Sequence, residues 1–393
     1  MLSKKTTQRW KFWPVLCLAF IFAFSNPLVT IATPLYFSQQ GISKTFLSLL
    51  ISSLTITYSI SPLVLNKISD RIGRRKSIII SMAGATLAQL MFFITLNPIL
   101  FLIERLLEGF ILGFFFPNLQ ATISDDPTLD QKKHLARFNL SWSLAIVLGL
   151  LFGTFFVKVV ELKYVFYISP IFLLTNAIIA LIFFQEPRSN QLIPNEGNLD
   201  TNMNLSTMTV KYYIPLIIPL LLILASSFAS GNGLLLYPIR ANGLGFSDSS
   251  TYLVNVFATF SQTITMYLAT SLVLKKLRTF SVITVFIYSF LFIFFTLNKI
   301  YYLFILLFIF SGFFYGFLYG AASKFFLTLN VLKKTSKYSS ISESSLGITF
   351  FISQLFLGFM ADISVFIAYY SLSLSLVIIF FVALIFIRKF KEL

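Results

Sequence analysis

Long apolar segments alternate with short polar connections along almost the whole chain. An α-helix rises about 1.5 Å per residue, so crossing roughly 30 Å of hydrocarbon takes about 20 mostly apolar residues. Because unpaired backbone groups are costly in lipid and the alternation of barrel strands is missing, the pattern predicts an all-α membrane protein. We expect twelve transmembrane helices near residues 14–38, 44–66, 76–96, 98–122, 135–158, 163–184, 212–237, 249–273, 279–297, 300–326, 338–360 and 363–387.

A polar stretch separates the sixth segment from the seventh. It contains turn formers such as Pro187, Pro194 and Gly197, and it has no apolar periodicity. We therefore expect an N-terminal six-helix bundle, a cytoplasmic linker and a C-terminal six-helix bundle, at 1–184, 185–211 and 212–393.

The two halves of the chain contain similar short sequences in the same order. Residues 63–67 resemble residues 272–276, and the pair Gly109 and Gly113 resembles Gly312 and Gly316, with each of these glycines followed by phenylalanine. Matching order in both halves is typical of membrane proteins built from two repeats, so we expect two pseudo-symmetric bundles.

The composition agrees with a lipid environment. The chain is 57% hydrophobic and only 11% charged, whereas soluble domains carry about a quarter charged residues. The net charge is +16, but the basic residues are dispersed between apolar segments, so we expect no nucleic-acid binding. Cys17 and His134 are the only residues of their kinds, which argues against a disulfide and against a Cys or His-pair metal site. We expect no metal and no cofactor.

Basic residues are concentrated in alternate connections. With the N-terminus inside, the outer connections receive only Lys44, Lys158, Lys163, Arg240 and Lys299. Since basic residues favour short cytoplasmic loops, both termini are predicted to be cytoplasmic. We expect a monomeric multi-pass protein of the cell membrane, in contact with the lipid bilayer.

The connection between the second and third segments carries the most informative motif. Residues 67–76 read Lys-Ile-Ser-Asp-Arg-Ile-Gly-Arg-Arg-Lys. Asp70 lies at the end of the second helix, Gly73 permits a tight reversal, and the basic residues face anionic headgroups. At this place in a twelve-segment chain, the motif resembles the cytoplasmic loop between helices 2 and 3 of major facilitator superfamily transporters.

The resemblance implies the fold and job of that family: two six-helix bundles that move a small solute by alternating access. In the family, the aspartate contacts the start of helix 11, and the first arginine after the glycine pairs with an acid at the end of helix 4. Both contacts latch the outward-facing state. Here the latch residues would be Asp70, Arg71, Gly73 and Arg74, with Asp125 or Asp126 as the acid and the helix near Tyr338 as the partner.

Three charged residues lie well inside the fourth segment. Glu104, Arg105 and Glu108 share one arc of a helical wheel, so they are expected to face protein or water in a central cavity. One arginine neutralises one carboxylate, and the surplus acid is expected to hold a proton more readily than a free glutamate, as a proton carrier does. The alternative is a structural ion pair. The spacing Arg-x-x-Glu-Gly resembles the family's helix 4 motif Arg-x-x-Gln-Gly, which is linked with proton coupling.

Polar residues on other segments are candidates for a substrate cavity, and for each of them an interhelical hydrogen bond is the alternative. They are Asn26, Thr30, Thr33, Tyr58, Asn232, Asn255, Gln262 and Gln354. Glu343, near the start of the eleventh helix, suits the positive helix end and is predicted to be structural.

The function expected first is proton-linked export of a small amphipathic or drug-like compound, with that compound and protons as partners. A facilitator or symporter for a sugar, metabolite or lipid-linked solute is the alternative. Residues 125–130, Asp-Asp-Pro-Thr-Leu-Asp, superficially resemble the acidic sequences of membrane prenyltransferases. The chain has no second acidic cluster, so we do not expect an enzyme.

Overall fold

The computed structural model describes residues 12–125, 131–186, 212–333, 337–389 and 391–392. Within these residues the protein is almost entirely helical, and one minimal antiparallel pair joins β1 (Tyr212–Tyr213) to β2 (Lys391–Glu392). The helices are α1 (Trp13–Ser38), α2 (Lys44–Ile72), α3 (Arg74–Gln89), α4 (Pro98–Leu112), α5 (Phe116–Asp125), α6 (Gln131–Val159), α7 (Tyr164–Phe183), α8 (Ile217–Gly231), α9 (Tyr237–Gly243), α10 (Asp248–Ser271), α11 (Leu274–Leu297), α12 (Tyr301–Lys333), α13 (Lys337–Ile363) and α14 (Val365–Ile387).

These helices form the twelve predicted membrane spans. In the described part of the chain, ten helical segments are long and apolar enough to cross a membrane. The other two spans are α4 with α5, which are short and carry buried charges, and α10, which is rich in hydroxyl side chains. The prediction of an all-α membrane protein is confirmed, whereas most of the predicted linker, residues 187–211, lies outside the described residues.

The fourth span is not one continuous helix, as the sequence predicted. It breaks between α4 and α5, where Gly113, Phe114 and Phe115 donate their backbone N–H groups to carbonyls three residues earlier. Pro117 lacks an N–H group, so the Gly113 carbonyl has no donor four residues ahead, and the helix restarts at Phe116.

The predicted loop at 67–76 is shorter than expected. Helix α2 continues to Ile72 and α3 begins at Arg74, so Gly73 alone is non-helical. Its φ of +88° is a conformation that side-chain-bearing residues rarely adopt. The prediction of a tight reversal at Gly73 is therefore confirmed, while the polar residues on both sides belong to helix ends.

The seventh span starts later than predicted and ends later. It comprises α8, a π-helical turn at Asn232–Leu236, and α9. Tyr212 and Tyr213 are extended instead of helical. Pro215 follows them, and a proline disfavours helical geometry in the residue before it, which delays the helix to Ile217.

Close packing of α4 on α2 fixes the first bundle around the candidate acids. A Cβ atom on Gly109 would collide with the Leu54 carbonyl and with the Thr57 hydroxyl of α2. Because glycine has no Cβ, the two helix backbones approach closely here.

The second bundle repeats this contact between α12 and α10. A Cβ atom on Gly316 would collide with the Gln262 carbonyl and the Thr265 hydroxyl, again a carbonyl and a threonine three residues later. The contacts therefore align Gly316 with Gly109, one helical turn away from the pairing of Gly109 with Gly312 that the sequence suggested. This shared geometry supports the pseudo-symmetry of the two bundles.

Two helix pairs join the bundles along their length. Helix α2 packs on α13, and α6 packs on α10, while α1 contacts α9 near one end of the molecule. These helix pairs therefore determine how the two bundles are oriented relative to each other.

Candidate functional site

The three predicted charged residues of α4 do come together, in the interior of the first bundle. Arg105 Nη1 donates to Glu108 Oε2 at 2.6 Å. Gln89 of α3 donates its Nε2 group to the other Glu108 oxygen at 2.9 Å. Glu104, Arg105 and Glu108 are 0%, 4% and 2% exposed. Both oxygens of Glu108 are thus occupied, one by the cation and one by a neutral amide.

Glu104 differs from Glu108 in its surroundings. Neither of its oxygens accepts a hydrogen bond from an N–H or hydroxyl group of the residues that the structure describes, and its carboxyl group lies within hydrogen-bonding reach of Glu108. Its electrostatic neighbours are Glu108, which repels a negative charge, and Arg105, whose charge Glu108 already shares. A buried carboxyl group in this position is far less costly when it is neutral than when it is ionised.

The start of α3 is anchored by an acid that the sequence interpretation did not consider. Glu186, just after α7, accepts a hydrogen bond from the Arg75 backbone N–H at 2.6 Å. The Arg75 guanidinium in turn donates to the Leu181 carbonyl at 2.7 Å. A carboxylate at a helix N-terminus is favoured by the unpaired N–H groups and the helix dipole. The signal in the sequence was an acid at the membrane boundary after an apolar segment.

Hydroxyl and amide groups tie the same region to α5. Ser69 donates to Asn118 Oδ1 at 2.7 Å, and Ser77 donates to Ser69 at 3.1 Å. Asn118 donates to the Phe114 carbonyl at 2.7 Å. The end of α2, the start of α3 and the second half of the fourth span therefore form one hydrogen-bonded unit.

The predicted latch residues Asp70, Arg71, Gly73 and Arg74 lie at the end of α2 and the start of α3. Asp70 and Arg71 are exposed at the end of α2. Asp70 makes no hydrogen bond or ion pair with the described residues, and the side chains of Lys337, Ser339 and Ser340 at the start of α13 lie outside them, so the contact of Asp70 with that helix stays a prediction. Arg74 is half-buried at the start of α3. The side chain of Asp125 and the whole of Asp126 lie outside what the structure describes.

The bundles are instead joined at the opposite end of α2. Asp362 of α13 accepts hydrogen bonds from the backbone N–H groups of Lys44 and Thr45, at 2.6 and 3.0 Å. It also accepts one from the Thr45 hydroxyl at 2.6 Å. Asp362 therefore caps the N-terminus of α2 from the other bundle, a role that no pattern in the sequence indicated.

A second contact closes the same end of the molecule. The Tyr252 hydroxyl of α10 donates to the Leu28 carbonyl of α1 at 2.7 Å, and the tyrosine is fully buried. Hydrogen bonds shielded from water in this way join the bundles more firmly than exposed ones.

The predicted cavity residues of α1 bond within their own helix. Thr30 and Thr33 donate to the carbonyls of Asn26 and Val29, at 2.9 and 2.7 Å. Asn26 and Thr30 are half-buried, and Thr33 is buried. The Thr30 and Thr33 hydroxyls are therefore already satisfied, and only Asn26 retains a side chain for other partners.

The predicted cavity residues of the second bundle have different surroundings. Asn232 and Gln354 are fully buried, and none of their four amide atoms has a partner among the described residues. Asn255 is 9% exposed and donates to the Thr251 carbonyl at 2.8 Å. Gln262 is half-buried on α10.

Glu343 has surroundings that the sequence interpretation missed. Its side chain on α13 is accessible at the surface, and its neighbours on other helices are Tyr58 of α2 and Tyr319 of α12. Tyr319 stacks on Tyr315 with ring centroids 6.3 Å apart. Glu343 was predicted to be structural, and its role stays a prediction. An acid within an apolar segment was the available signal.

Twelve spans in two pseudo-symmetric bundles, with buried charges inside one bundle, define a multi-pass membrane transporter. The model of the Major Facilitator Superfamily matches residues 15–330, and the chain belongs to this family. It is a transporter and not an enzyme.

Individual proteins resemble this chain in sequence or in structure. Multidrug resistance protein 1 of Bacillus subtilis (strain 168) is 26% identical over 164 residues, which span 42% of each chain. The nucleoside transporter NupG has a TM-score of 0.71 at 13% identity, covering 97% of this chain and 99% of NupG. The inward-open xylose transporter XylE from E. coli has a TM-score of 0.70 at 16% identity, covering 97% of this chain and 96% of XylE. These two structures establish the shared fold.

Proposed function

We propose that this protein exports a small amphipathic or drug-like compound by alternating access, in exchange for protons. The observation that carries the proposal is the buried group of Glu104, Arg105 and Glu108. The partial similarity to a multidrug resistance protein supports a drug-like compound as the solute.

Charge balance supports proton coupling. Two carboxyl groups share one guanidinium inside the first bundle, so the group carries a net charge of −1 when both acids are ionised. A charge in the membrane interior is costly. Taking up one proton makes the group neutral, and Glu104 is the acid without hydrogen bonds that stabilise its charge. Glu104 is therefore our candidate for the proton carrier, with Arg105 and Glu108 as the pair that positions it.

The contacts between the bundles support an inward-facing state. The distribution of basic residues favours cytoplasmic termini, which puts the Asp362 contact with α2 on the outside of the cell membrane. The outer end is then closed. The proposed boundaries of the bundles remain 1–184 and 212–393, and the proposed oligomeric state is a monomer.

The second candidate is a facilitator or symporter for a sugar, metabolite or lipid-linked solute. The observation that favours it is the group of uncharged polar side chains on α1, α10, α13 and the π-helical turn. A facilitator needs no titrating acid, so transport by it is insensitive to neutralising the buried carboxylates.

Purified protein in liposomes tests the choice. With ethidium as the drug-like compound and a pH-sensitive dye inside, we expect ethidium movement to change the internal pH. Glu104→Gln should abolish this coupled pH change, whereas Glu161→Gln, which alters an exposed ion pair with Lys163, should not. Glu343→Gln tests whether the acid on α13 carries the proton instead. Unchanged coupling in both Glu104→Gln and Glu108→Gln would show that these acids are structural.

A further inference from the structure

A buried arginine of the second bundle has no acidic partner in the described part of the chain. Arg240 of α9 is only 7% exposed, and the ion pairs of the described residues do not include it. Its Nη2 group donates to the carbonyls of Thr296 and Asn298 at the end of α11, at 2.7 and 2.8 Å. Carbonyls at a helix C-terminus carry only a partial negative charge. The guanidinium is therefore incompletely neutralised.

The same guanidinium has a donor group that remains unused. Its Cζ atom lies 4.9 Å from the centre of the Phe366 ring of α14. Arg240 Nε is buried and has no hydrogen-bond partner among the described residues. Because a guanidinium donates hydrogen bonds and accepts none, only an acceptor can satisfy this N–H group.

A second unused donor lies one helical turn from Phe366. Tyr369 of α14 is 0% exposed, and its hydroxyl has no partner in the described structure. Its polar neighbours are Arg240 and Tyr237 of α9. Residues three apart share one face of a helix, so Tyr237 and Arg240 face Phe366 and Tyr369. The Arg240 guanidinium and the Tyr369 hydroxyl therefore lie in one region between α9 and α14.

Other buried tyrosines of this bundle have partners for their hydroxyls. Tyr288 of α11 is also 0% exposed, but its hydroxyl is 2.8 Å from the hydroxyl of Ser311. The Tyr237 hydroxyl lies within hydrogen-bonding reach of Ser250. Burying a polar group without a hydrogen bond is costly, so the Tyr369 hydroxyl beside an incompletely neutralised cation points to a ligand.

This region lies inside the second bundle and not along the junction of the two bundles. Ile239 and Asn242 of α9 line a cavity with Lys44 and Leu47 of α2, so that face of α9 meets the first bundle. Arg240 instead contacts α11 and α14. Helix α11 packs on α8, α12 and α14, which all belong to the second bundle. A ligand here is therefore separate from the transported solute.

We propose that Arg240 and Tyr369 bind a chloride ion, or another small monovalent anion, inside the second bundle. Arg240 Nε and the Tyr369 hydroxyl both donate to it, and the anion neutralises the guanidinium. The surrounding rings of Phe295 and Tyr237 are fully buried, which favours a single-atom ion over an organic anion. The inference goes beyond the proposed transport function and does not depend on it.

The anion has a stabilising role in this arrangement. It joins α9 to α14, and Arg240 joins α9 to the end of α11. Helix α9 also contacts α1 of the first bundle. Binding of the anion should therefore stabilise the end of the seventh span.

Thermal unfolding of the purified full-length protein gives the first test. The midpoint is measured in sodium chloride and in sodium gluconate at equal ionic strength, because gluconate is a large organic anion. We expect chloride to raise the midpoint by about 2 °C or more, since it binds the folded protein. Arg240→Gln removes the cation and should abolish this shift. If Arg240→Gln does not fold, Tyr369→Phe decides.

Two tyrosine variants form a matched pair for the same measurement. Tyr369→Phe removes the unpartnered hydroxyl and should greatly reduce the chloride shift. Tyr288→Phe removes a hydroxyl that is bonded to Ser311, so it should lower the midpoint in both salts and keep the chloride shift. No chloride shift in the unmodified protein, or equal shifts in the two variants, would overturn the proposal and leave a water molecule as the partner of Tyr369.

Bromide locates the ion directly. Crystals of the full-length protein grown in sodium bromide should show an anomalous scattering peak within hydrogen-bonding distance of Arg240 Nε and the Tyr369 hydroxyl. Bromide peaks at the protein surface alone would indicate adventitious ions only and would overturn the proposal.

The two proposals fail separately. If these acids do not couple transport to protons, the chloride shift and its sensitivity to Tyr369→Phe are unchanged. If the anion does not bind, the ethidium-driven pH change and its dependence on Glu104 are unchanged.

Discussion

Asp362 and Thr45 are 317 residues apart in sequence, yet Asp362 Oδ2 accepts hydrogen bonds from both the backbone N–H and the hydroxyl of Thr45, at 3.0 and 2.6 Å. The contact places an acid of one bundle on the N-terminus of α2 in the other. The unpaired N–H groups and the dipole of α2 both favour a negative charge there. This end of the interface is thus closed by a helix cap shared between bundles.

Removing the cap should open this end. Asp362 is exposed, so water competes for its hydrogen bonds and their net contribution is modest. We expect Asp362→Ala to shift the equilibrium about tenfold towards the form in which this end is open, which corresponds to roughly 1.4 kcal/mol. Pulsed electron paramagnetic resonance measures the distance across this end between spin labels at Gln40 and Ile363. The labelled chain has Cys17 replaced by alanine. Glu161→Gln is the control, since its ion pair with Lys163 lies within one bundle. Identical distance distributions in Asp362→Ala and the control would refute the role of the cap.

The buried contact between α10 and α1 makes a related prediction. Tyr252→Phe removes the hydroxyl that donates to the Leu28 carbonyl and leaves the ring in place. We expect the stability of the closed form to fall by about 1 kcal/mol. This should appear as a lower unfolding midpoint and as a broader distribution of the spin-label distance across this end. Tyr267→Phe, at a residue 74% exposed, should change neither. Equal midpoints for the two variants would argue against the contact.

The buried charges of α4 predict a pH-dependent variant. Arg105→Gln leaves Glu104 and Glu108 without a cation, and breaking a buried pair in this way typically costs about 3–5 kcal/mol. Protonation removes the stranded negative charges, so the destabilisation should be largest at alkaline pH and should shrink as pH falls. Unfolding midpoints of the variant and the unmodified protein across a pH series measure this. A difference that does not depend on pH would contradict the charge balance proposed for this group.

The anchor at the start of α3 predicts a local effect. Glu186→Gln weakens the hydrogen bond to the Arg75 N–H, because a charged acceptor binds an N–H group more strongly than a neutral one. We expect faster hydrogen exchange of the first amides of α3, with little change in α6. Exchange followed by mass spectrometry measures both regions. Unchanged protection at the start of α3 would show that the Gly73 turn holds this helix end without Glu186.

The sequence predicted the number of spans and most of their positions, because lipid imposes a length and a composition on every helix that crosses it. It also predicted the reversal at Gly73, since a positive φ in a tight turn favours glycine. It placed Glu104, Arg105 and Glu108 on one side of α4, because helical spacing fixes that relation. These properties depend on residues close together in the chain.

The sequence did not predict the break at Gly113, the π-helical turn at Asn232 or the later start of α8. Each depends on which backbone groups can form hydrogen bonds once the helices are packed, and a hydropathy pattern contains no information about this.

Tertiary structure alone decided which distant groups meet. Asp362 caps α2, Glu186 anchors α3, and the Gln354 amide lies against the backbone at Gly231. The membrane selects residues one segment at a time by their solubility in lipid, so the spans can be identified from the sequence. Partners from different spans are selected by the geometry of packing, which appears only when the two bundles are assembled.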